Sequence, residues 1–204
     1  MTSTIPDFET ELTEIRKVST SGFYLVFGFS MSGTEMVHSE FDERWTSRYQ
    51  QSSYFAVDPV FMWAISRTGC IRWSEINLPD VKGILTEAKP FGMVYGAIFA
   101  QELEGNRSFL SIARDDRELT DDEMHQMNAN LMKWAAMMGP RVALSVGELD
   151  VLLALRDGFG QRDIAQFLSI AESTVKQRAI SACAKLGAKT RAQAVGIAVK
   201  RNYI

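Results

Sequence analysis

The segment QRDIAQFLSIAESTVKQRAISACAKLG, residues 161–187, decides the fold of the second half of this chain. Residues 161–168 have the apolar spacing of a short helix, and a tight turn is expected at 169–172. A longer amphipathic helix is then predicted over residues 173–187. A short helix, a tight turn and a longer helix in this order predict a helix-turn-helix motif.

The start of the longer helix carries side chains suited to contact with a nucleic acid. Lys176 and Arg178 are predicted on its outer face, where the simplest interpretation of two charges is a solvated surface. Their place in the motif favours double-stranded DNA instead, because the beginning of the second helix reaches base edges in the major groove. Glu172 or Ser173 is expected to cap this helix. The expected DNA-binding residues are Ser173, Thr174, Lys176, Gln177 and Arg178.

Two further helices complete an all-α, four-helix domain around this motif. Ser145 and Glu148 form a capping box that opens the first helix, and residues 190–200 have the spacing of the last. The chain from residue 144 onward contains nine Lys and Arg against five Asp and Glu, whereas the rest contains 13 against 20. A basic domain that follows an acidic one agrees with DNA as the partner of the second domain.

The first half predicts an α+β domain, an antiparallel sheet packed with helices. A buried strand is expected over residues 21–30, and a hairpin over 94–101 and 107–114. The other predicted elements are a short strand at 36–38 and helices over 7–18, 41–51, 58–67 and 120–138.

A break between the two halves is expected at Gly139-Pro140, since proline does not continue a helix and glycine tolerates the left-handed cap. The predicted organisation is therefore a domain over residues 1–138, a linker over 139–143 and the helical domain over 144–204. The helix before the linker has an apolar stripe that includes Leu131 and Trp134. This stripe is interpreted either as core or as a dimer interface.

The sequence contains no pattern that organises catalysis. It has no H-E-x-x-H, C-x-x-C, Walker or G-x-S-x-G motif, and His38 and His125 lack the neighbours of a metal site. We therefore expect neither an enzyme nor a cofactor. Cys70 and Cys183 predict free thiols in a reducing compartment. The acidic first residues and the lack of a long apolar run predict no signal peptide, no membrane association and a cytoplasmic protein.

The first half contains three aromatic residues and an aspartate at particular separations along the sequence. Tyr49 follows Trp45 by four residues, Asp58 lies nine residues after Tyr49, and Trp73 lies fifteen after Asp58. By themselves these residues predict a hydrophobic core, with Asp58 as the cap of a helix that begins at Pro59.

This set resembles the sequence pattern of a known family. The resemblance also includes Gly96 and, in the second half, Glu148, Leu152 and Gly158. The family is that of the LuxR-type quorum-sensing transcription factors, and the resemblance covers residues 41–204. It implies a domain that binds an acyl-homoserine lactone, joined to a four-helix DNA-binding domain.

The resemblance also implies a binding site for the polar head and apolar tail of such a lactone. Trp45 is expected to donate its indole N–H to the lactone carbonyl, and Asp58 to accept the amide N–H. Many relatives have a tyrosine four residues before this tryptophan, where this chain has Phe41. The expected ligand-binding residues are Trp45, Tyr49, Asp58, Val60, Trp73 and Ser111, with Met62 nearby.

The expected function is a homodimeric transcriptional regulator that senses an N-acyl-homoserine lactone or a similar small amphiphile. A dimer is expected because one helix-turn-helix motif covers only a half-site, and two half-sites lie about 34 Å apart on one face of promoter DNA. Two alternatives remain open, a second kind of regulator and an interaction protein. One is a relative that binds DNA without a ligand, and the other is an anti-activator that forms inactive heterodimers with a related regulator.

Overall fold

A computed structural model describes residues 5, 7–29, 33–103, 105–138, 142–201 and 203–204 of the chain. Contacts between Cα atoms divide the chain into two units, Met1–Pro140 and Arg141–Ile204. Residues 139–141 of the predicted linker, including Gly139-Pro140, lie outside the described residues.

Five strands form one antiparallel sheet in the described part of the first unit, in the order β2-β1-β5-β4-β3. The α+β fold with a helix-packed antiparallel sheet is therefore confirmed. The edge strand β3 was not predicted from the sequence, because it is short and all of its residues are half-buried. The strands are β1 (Phe23–Phe29), β2 (Met36–Ser39), β3 (Gly69–Arg72), β4 (Tyr95–Leu103) and β5 (Asn106–Arg114).

Helices cover both faces of this sheet. Asp58 caps α3 and Pro59 is its first residue, as predicted, whereas the five-residue helix α4 has no counterpart in the prediction. Short 3-10 helices lie at Tyr54–Ala56, Trp73–Glu75 and Lys89–Phe91. The α-helices of this unit are α1 (Phe8–Val18), α2 (Glu43–Gln51), α3 (Pro59–Ser66), α4 (Ile84–Ala88) and α5 (Asp121–Met138).

The sheet has a separate hydrophobic core on each face. Leu25 and Phe27 of β1 pack with residues of α1 and α5, and Val26 between them packs on the other face with residues of α2, α3 and α4. This alternation follows from the two-residue period of a strand. Burial on both faces explains why β1 is an almost continuous apolar run in the sequence.

The apolar stripe of α5 faces its own domain. Leu131 and Trp134 are almost completely buried and belong to the core shared with α1 and the sheet. These two residues therefore belong to the core, and a dimer contact through this helix would have to use its exposed side. The exposed side of α5 contains Met132, which is 54% exposed.

The second unit consists of four helices within its described residues, as predicted. The capping box is present before α6, where Ser145 Oγ accepts from Glu148 N and Glu148 accepts from Ser145 N. The predicted cap of α8 was wrong, because Ala171 occupies the N-cap and Glu172 and Ser173 lie inside the first turn. The helices are α6 (Val146–Arg156), α7 (Gln161–Phe167), α8 (Glu172–Lys185) and α9 (Arg191–Lys200).

Candidate functional site

A cavity of about 370 Å³ lies in the first unit, between one face of the sheet and helices α2, α3 and α4. Its wall is mostly aromatic and aliphatic, with a few polar groups among the apolar ones, as in sites that bind small amphiphilic molecules. The structure brings all six predicted ligand-binding residues to this wall: Trp45, Tyr49, Asp58, Val60, Trp73 and Ser111.

Helix α2 places Trp45 and Tyr49 side by side on the wall. They lie four residues apart, so their side chains project from the same face of the helix. The rings contact edge to face, with centroids 6.0 Å apart. The indole N–H of Trp45 donates to none of the described residues, which leaves it available to an acceptor in the cavity.

One carboxylate oxygen of Asp58 accepts a hydrogen bond that caps a helix, and the other accepts one from a residue of the cavity wall. Its Oδ1 accepts from Val60 N at 2.8 Å, which caps α3. Its Oδ2 accepts from the Tyr49 hydroxyl at 2.7 Å. Asp58 is only 8% exposed, yet each of its carboxylate oxygens has a further lone pair for a donor from a ligand.

Burial governs the ionisation of this pair. Loss of solvent raises the pKa of Asp58, while the hydrogen bonds from Tyr49 and Val60 act in the opposite direction. Burial and the neighbouring carboxylate both raise the pKa of Tyr49, so its hydroxyl keeps its proton and remains a donor to Asp58. The arrangement holds an acceptor at a fixed position in a mostly apolar wall.

Trp73 forms another part of the wall because Gly96 leaves room for its ring. A Cβ at Gly96 would lie 2.5 Å from Cε2 of Trp73 and 2.5 Å from the carbonyl oxygen of Ile112. Any side chain at this position of β4 would therefore displace the indole. The indole N–H of Trp73 is covered and has no partner among the described residues, so the ring contributes an apolar surface to the cavity.

Ser111 lies on β5 with its side chain on the cavity face of the sheet. Leu110 and Ile112 beside it belong to the opposite core, whereas Ser111 lines the cavity. Its hydroxyl makes no hydrogen bond to any residue in the described part of the chain. It therefore adds a second free donor to the cavity.

The sequence did not identify every residue of the wall. Tyr24 and Phe109 also line the cavity, and both come from strands buried on two faces, where the pattern does not show which residues share a face. Met62 does not line it and is 40% exposed, so the expectation for Met62 was wrong. The adjacent residue Phe61 faces the cavity instead.

The second candidate site is the outer face of α8. Ser173, Lys176, Gln177 and Ile180 are exposed at spacings of three and four residues, so they form one face. The opposite face packs into the unit through Val175, Ala179 and Ala182. Of the predicted DNA-binding residues, Ser173, Lys176 and Gln177 therefore lie together in solvent.

Thr174 and Arg178 are half-buried beside this exposed face. A Cβ at Gly147 would lie 2.5 Å from Cζ of Arg178, so the guanidinium packs directly on the first turn of α6. Arg178 therefore packs against α6, whereas Lys176 is exposed to solvent.

A buried carboxylate holds α8 against the start of α6. Glu148 accepts from the Ser181 hydroxyl at 2.6 Å and from Lys185 Nζ at 2.8 Å, besides the capping bond from Ser145 N. Burial disfavours its ionisation, but the bonds from Lys185, Ser181 and Ser145 outweigh burial and lower the pKa of Glu148 to about 2. The ionised carboxylate therefore stabilises the position of α8.

We expect Glu148→Gln to lower the stability of the protein at neutral pH by about 1.5–3 kcal/mol, the usual contribution of hydrogen bonds to a charged group. The folded-state pKa lies below the unfolded value, so this stabilisation is complete above the unfolded pKa and is lost as the pH falls toward the folded one. The difference in unfolding temperature between parent and variant should thus shrink below about pH 4.5. This difference is measured by thermal unfolding at several pH values, monitored by circular dichroism.

The exposed Glu172 at the start of α8 gives a matched control. Glu172→Gln removes the same charge without removing these hydrogen bonds and should leave stability nearly unchanged. A gap between parent and Glu148→Gln that stays constant down to about pH 3 would contradict this account of Glu148.

The described residues contain no group of three or more His, Cys, Asp or Glu side chains that could hold a metal ion. Within the same residues, no helix has the length and apolar character needed to cross a membrane.

Comparisons with known proteins match both units. Residues 21–139 match the family model of the autoinducer binding domain, and residues 142–198 match that of the bacterial regulatory proteins of the luxR family. The chain is 26% identical to the transcriptional activator protein VanR of Vibrio anguillarum, over 97% of this chain and 91% of that protein. It is 29% identical to the HTH-type quorum-sensing regulator RhlR of Pseudomonas aeruginosa, over 72% of this chain and 66% of that protein.

Solved structures show the same fold. A crystal structure of Escherichia coli SdiA is 20% identical and superposes with a TM-score of 0.56, over 99% of this chain and 92% of that one. A structure of SdiA in complex with octanoyl-rac-glycerol is 21% identical, with a TM-score of 0.54 over 95% and 86% of the two chains. The chain therefore belongs to the LuxR family of transcriptional regulators, not enzymes, in which an autoinducer-binding domain precedes a helix-turn-helix DNA-binding domain.

Proposed function

We propose that the cavity of the first domain binds an N-acyl-homoserine lactone. One observation carries this proposal: an apolar cavity brings together the buried acceptor Asp58 and the donors of Trp45 and Ser111, which have no partner among the described residues. An N-acyl-homoserine lactone has an apolar tail, one amide N–H and two carbonyl oxygens. These groups are of the types that the donors, the acceptor and the apolar wall of this cavity can bind.

Each polar group of the ligand has a proposed partner. Asp58 accepts the amide N–H, the Trp45 indole donates to the lactone carbonyl, and the Ser111 hydroxyl donates to the amide carbonyl. The aromatic rings of Tyr49 and Trp73, with Val60, line the apolar remainder. Tyr49 also orients Asp58 through their 2.7 Å hydrogen bond.

A titration of the purified chain by thermal unfolding tests this proposal. The probes are N-acyl-L-homoserine lactones with chains from butanoyl to dodecanoyl, with homoserine lactone lacking the acyl chain as control. A ligand at 100 times its Kd stabilises by about 2.7 kcal/mol, which corresponds to a rise of about 5–10 °C for a domain of this size. We expect such a rise with at least one acyl lactone and none with the control.

Two other results would contradict the proposal. A rise only with octanoyl-rac-glycerol, the compound in the SdiA complex, would assign the cavity to acyl glycerols. No rise with any amphiphile would favour a regulator that binds DNA without a ligand.

We also propose that the chain binds two-fold symmetric promoter DNA as a homodimer. The exposed face of α8 supplies the contacts to each half-site. Ser173, Lys176 and Gln177 lie on this face, and the half-buried Thr174 and Arg178 lie beside it. A symmetric dimer is needed because each helix-turn-helix motif reads one half-site. On α5, Ala129, Met132 and Ala136 lie exposed at spacings of three and four residues, which makes this outer face the proposed contact of the first domain, with further contacts from α9.

Met132→Asp is expected to dissociate this dimer without unfolding the domain, because the side chain is exposed in the monomer and would carry a charge into the interface. Val81→Asp is the control, since Val81 is 70% exposed and lies in the loop that precedes α4. Sedimentation at micromolar concentration should give a dimer for the parent and for Val81→Asp, and a folded monomer for Met132→Asp. A monomeric parent would contradict the proposal.

A further inference from the structure

Tyr24 lies on the cavity face of β1 at a position fixed by the sheet. It is paired with Ser111 of β5 in the antiparallel register, so the two side chains stand next to each other on the same face. Its ring stacks on Phe41, with centroids 6.5 Å apart and planes 10° from parallel. Both rings line the cavity. The strand and the stacked ring together hold the Tyr24 phenol in place.

The hydroxyl of Tyr24 makes no hydrogen bond to any residue that the structure describes. Burial raises the pKa of Tyr24, so the group is a neutral phenol that can donate one hydrogen bond. A polar group in an apolar cavity costs free energy unless a partner satisfies it. The neighbouring Phe41 has no polar atom in its side chain, and the Tyr49 hydroxyl already donates to Asp58.

We propose that Tyr24 is a further ligand-binding residue, whose hydroxyl donates to a carbonyl oxygen of the bound head group beside Ser111. This inference rests on the proposed function, because it assigns a donor within the same cavity. The acyl lactone has two carbonyl oxygens, each with two lone pairs, whereas Asp58 only accepts. In this assignment the hydroxyls of Tyr24 and Ser111, from neighbouring strands of the sheet, donate to the carbonyl oxygens, and Asp58 accepts the amide N–H.

Tyr24→Phe tests the inference, because it removes only the hydroxyl and keeps the ring that stacks on Phe41. The matched control is Tyr54→Phe. Tyr54 lies in the same hydrophobic cluster, but its hydroxyl donates to Glu87 at 2.8 Å and it does not line the cavity. The measurement is isothermal titration calorimetry of the full chain with N-octanoyl-L-homoserine lactone.

We expect Tyr24→Phe to weaken binding by about threefold to tenfold, the effect of losing one neutral hydrogen bond, and Tyr54→Phe to bind like the parent. Binding by Tyr24→Phe within about twofold of the parent, or equal weakening by Tyr54→Phe, would overturn the role of Tyr24 and leave the proposed function intact. If the parent binds no acyl lactone of any chain length, the proposed function fails and this inference fails with it.

Discussion

Asp58→Asn is expected to weaken acyl-lactone binding by tenfold or more while leaving the fold intact. Asparagine keeps an oxygen at the position that caps α3 through Val60 N, so the helix retains its start. It loses the negative charge that would accept the amide N–H of the ligand, and such a charge-assisted bond contributes about 1.5–3 kcal/mol. Apo stability should therefore change little while the apparent Kd rises.

Asp80→Asn provides a control of the same chemistry outside the cavity. Asp80 caps α4 by accepting from Ile84 N at 2.7 Å and from Leu85 N at 2.9 Å, and it is not part of the cavity wall. Calorimetric titration should give the parent's affinity for Asp80→Asn and a much weaker one for Asp58→Asn. Unchanged affinity in Asp58→Asn would restrict Asp58 to its structural role as a helix cap.

Lys176→Ala is expected to weaken DNA binding while leaving the second domain folded. Lys176 lies exposed at the start of α8 and makes no hydrogen bond or ion pair with the described residues, so its removal costs no intramolecular contact. Loss of a base contact would cost about 1–3 kcal/mol and relax preference at one base pair. Loss of a phosphate contact would weaken binding to all DNA sequences alike. It would also lower the slope of the logarithm of the binding constant against the logarithm of the salt concentration by about 1.

The affinity for sites selected from a random DNA pool, measured at several salt concentrations, distinguishes these results. Lys89→Ala is the control, because it removes one exposed lysine from the first domain and from neither α8 nor α9. Arg178→Ala is also expected to weaken binding, with an additional loss of stability because its guanidinium packs on Gly147. If Lys176→Ala binds selected DNA like the parent, the assignment of α8 as the DNA-contacting helix is wrong.

Local signals in the sequence predicted most helices because their causes lie within a few residues. The capping box of Ser145 and Glu148 and the Asp58-Pro59 start fixed two helix beginnings correctly. Strand β3 was missed because its pairing partner β4 lies more than twenty residues further along the chain, and an isolated four-residue strand has no strong pattern of its own.

The candidate pocket was predicted in part. The resemblance to the family named six residues that the structure brings to one cavity, but Tyr24 was not among them. Strand β1 is buried on both faces, so its residues show no polar and apolar alternation that would tell which ones face the cavity. The sequence also did not show which apolar residues of α5 are buried, since the stripe contains both the buried Leu131 and the exposed Met132.

The proposed role of the first domain is that of a receptor for an acyl lactone held by Asp58. It is tested most directly by purifying the full chain from cells supplied with N-octanoyl-L-homoserine lactone, extracting the protein with solvent and measuring the extract by mass spectrometry. We expect about one lactone per chain from the parent and Asp80→Asn proteins, and far less from Asp58→Asn. A folded parent protein whose extract contains no lactone, or an Asp58→Asn protein that retains it fully, would contradict this role.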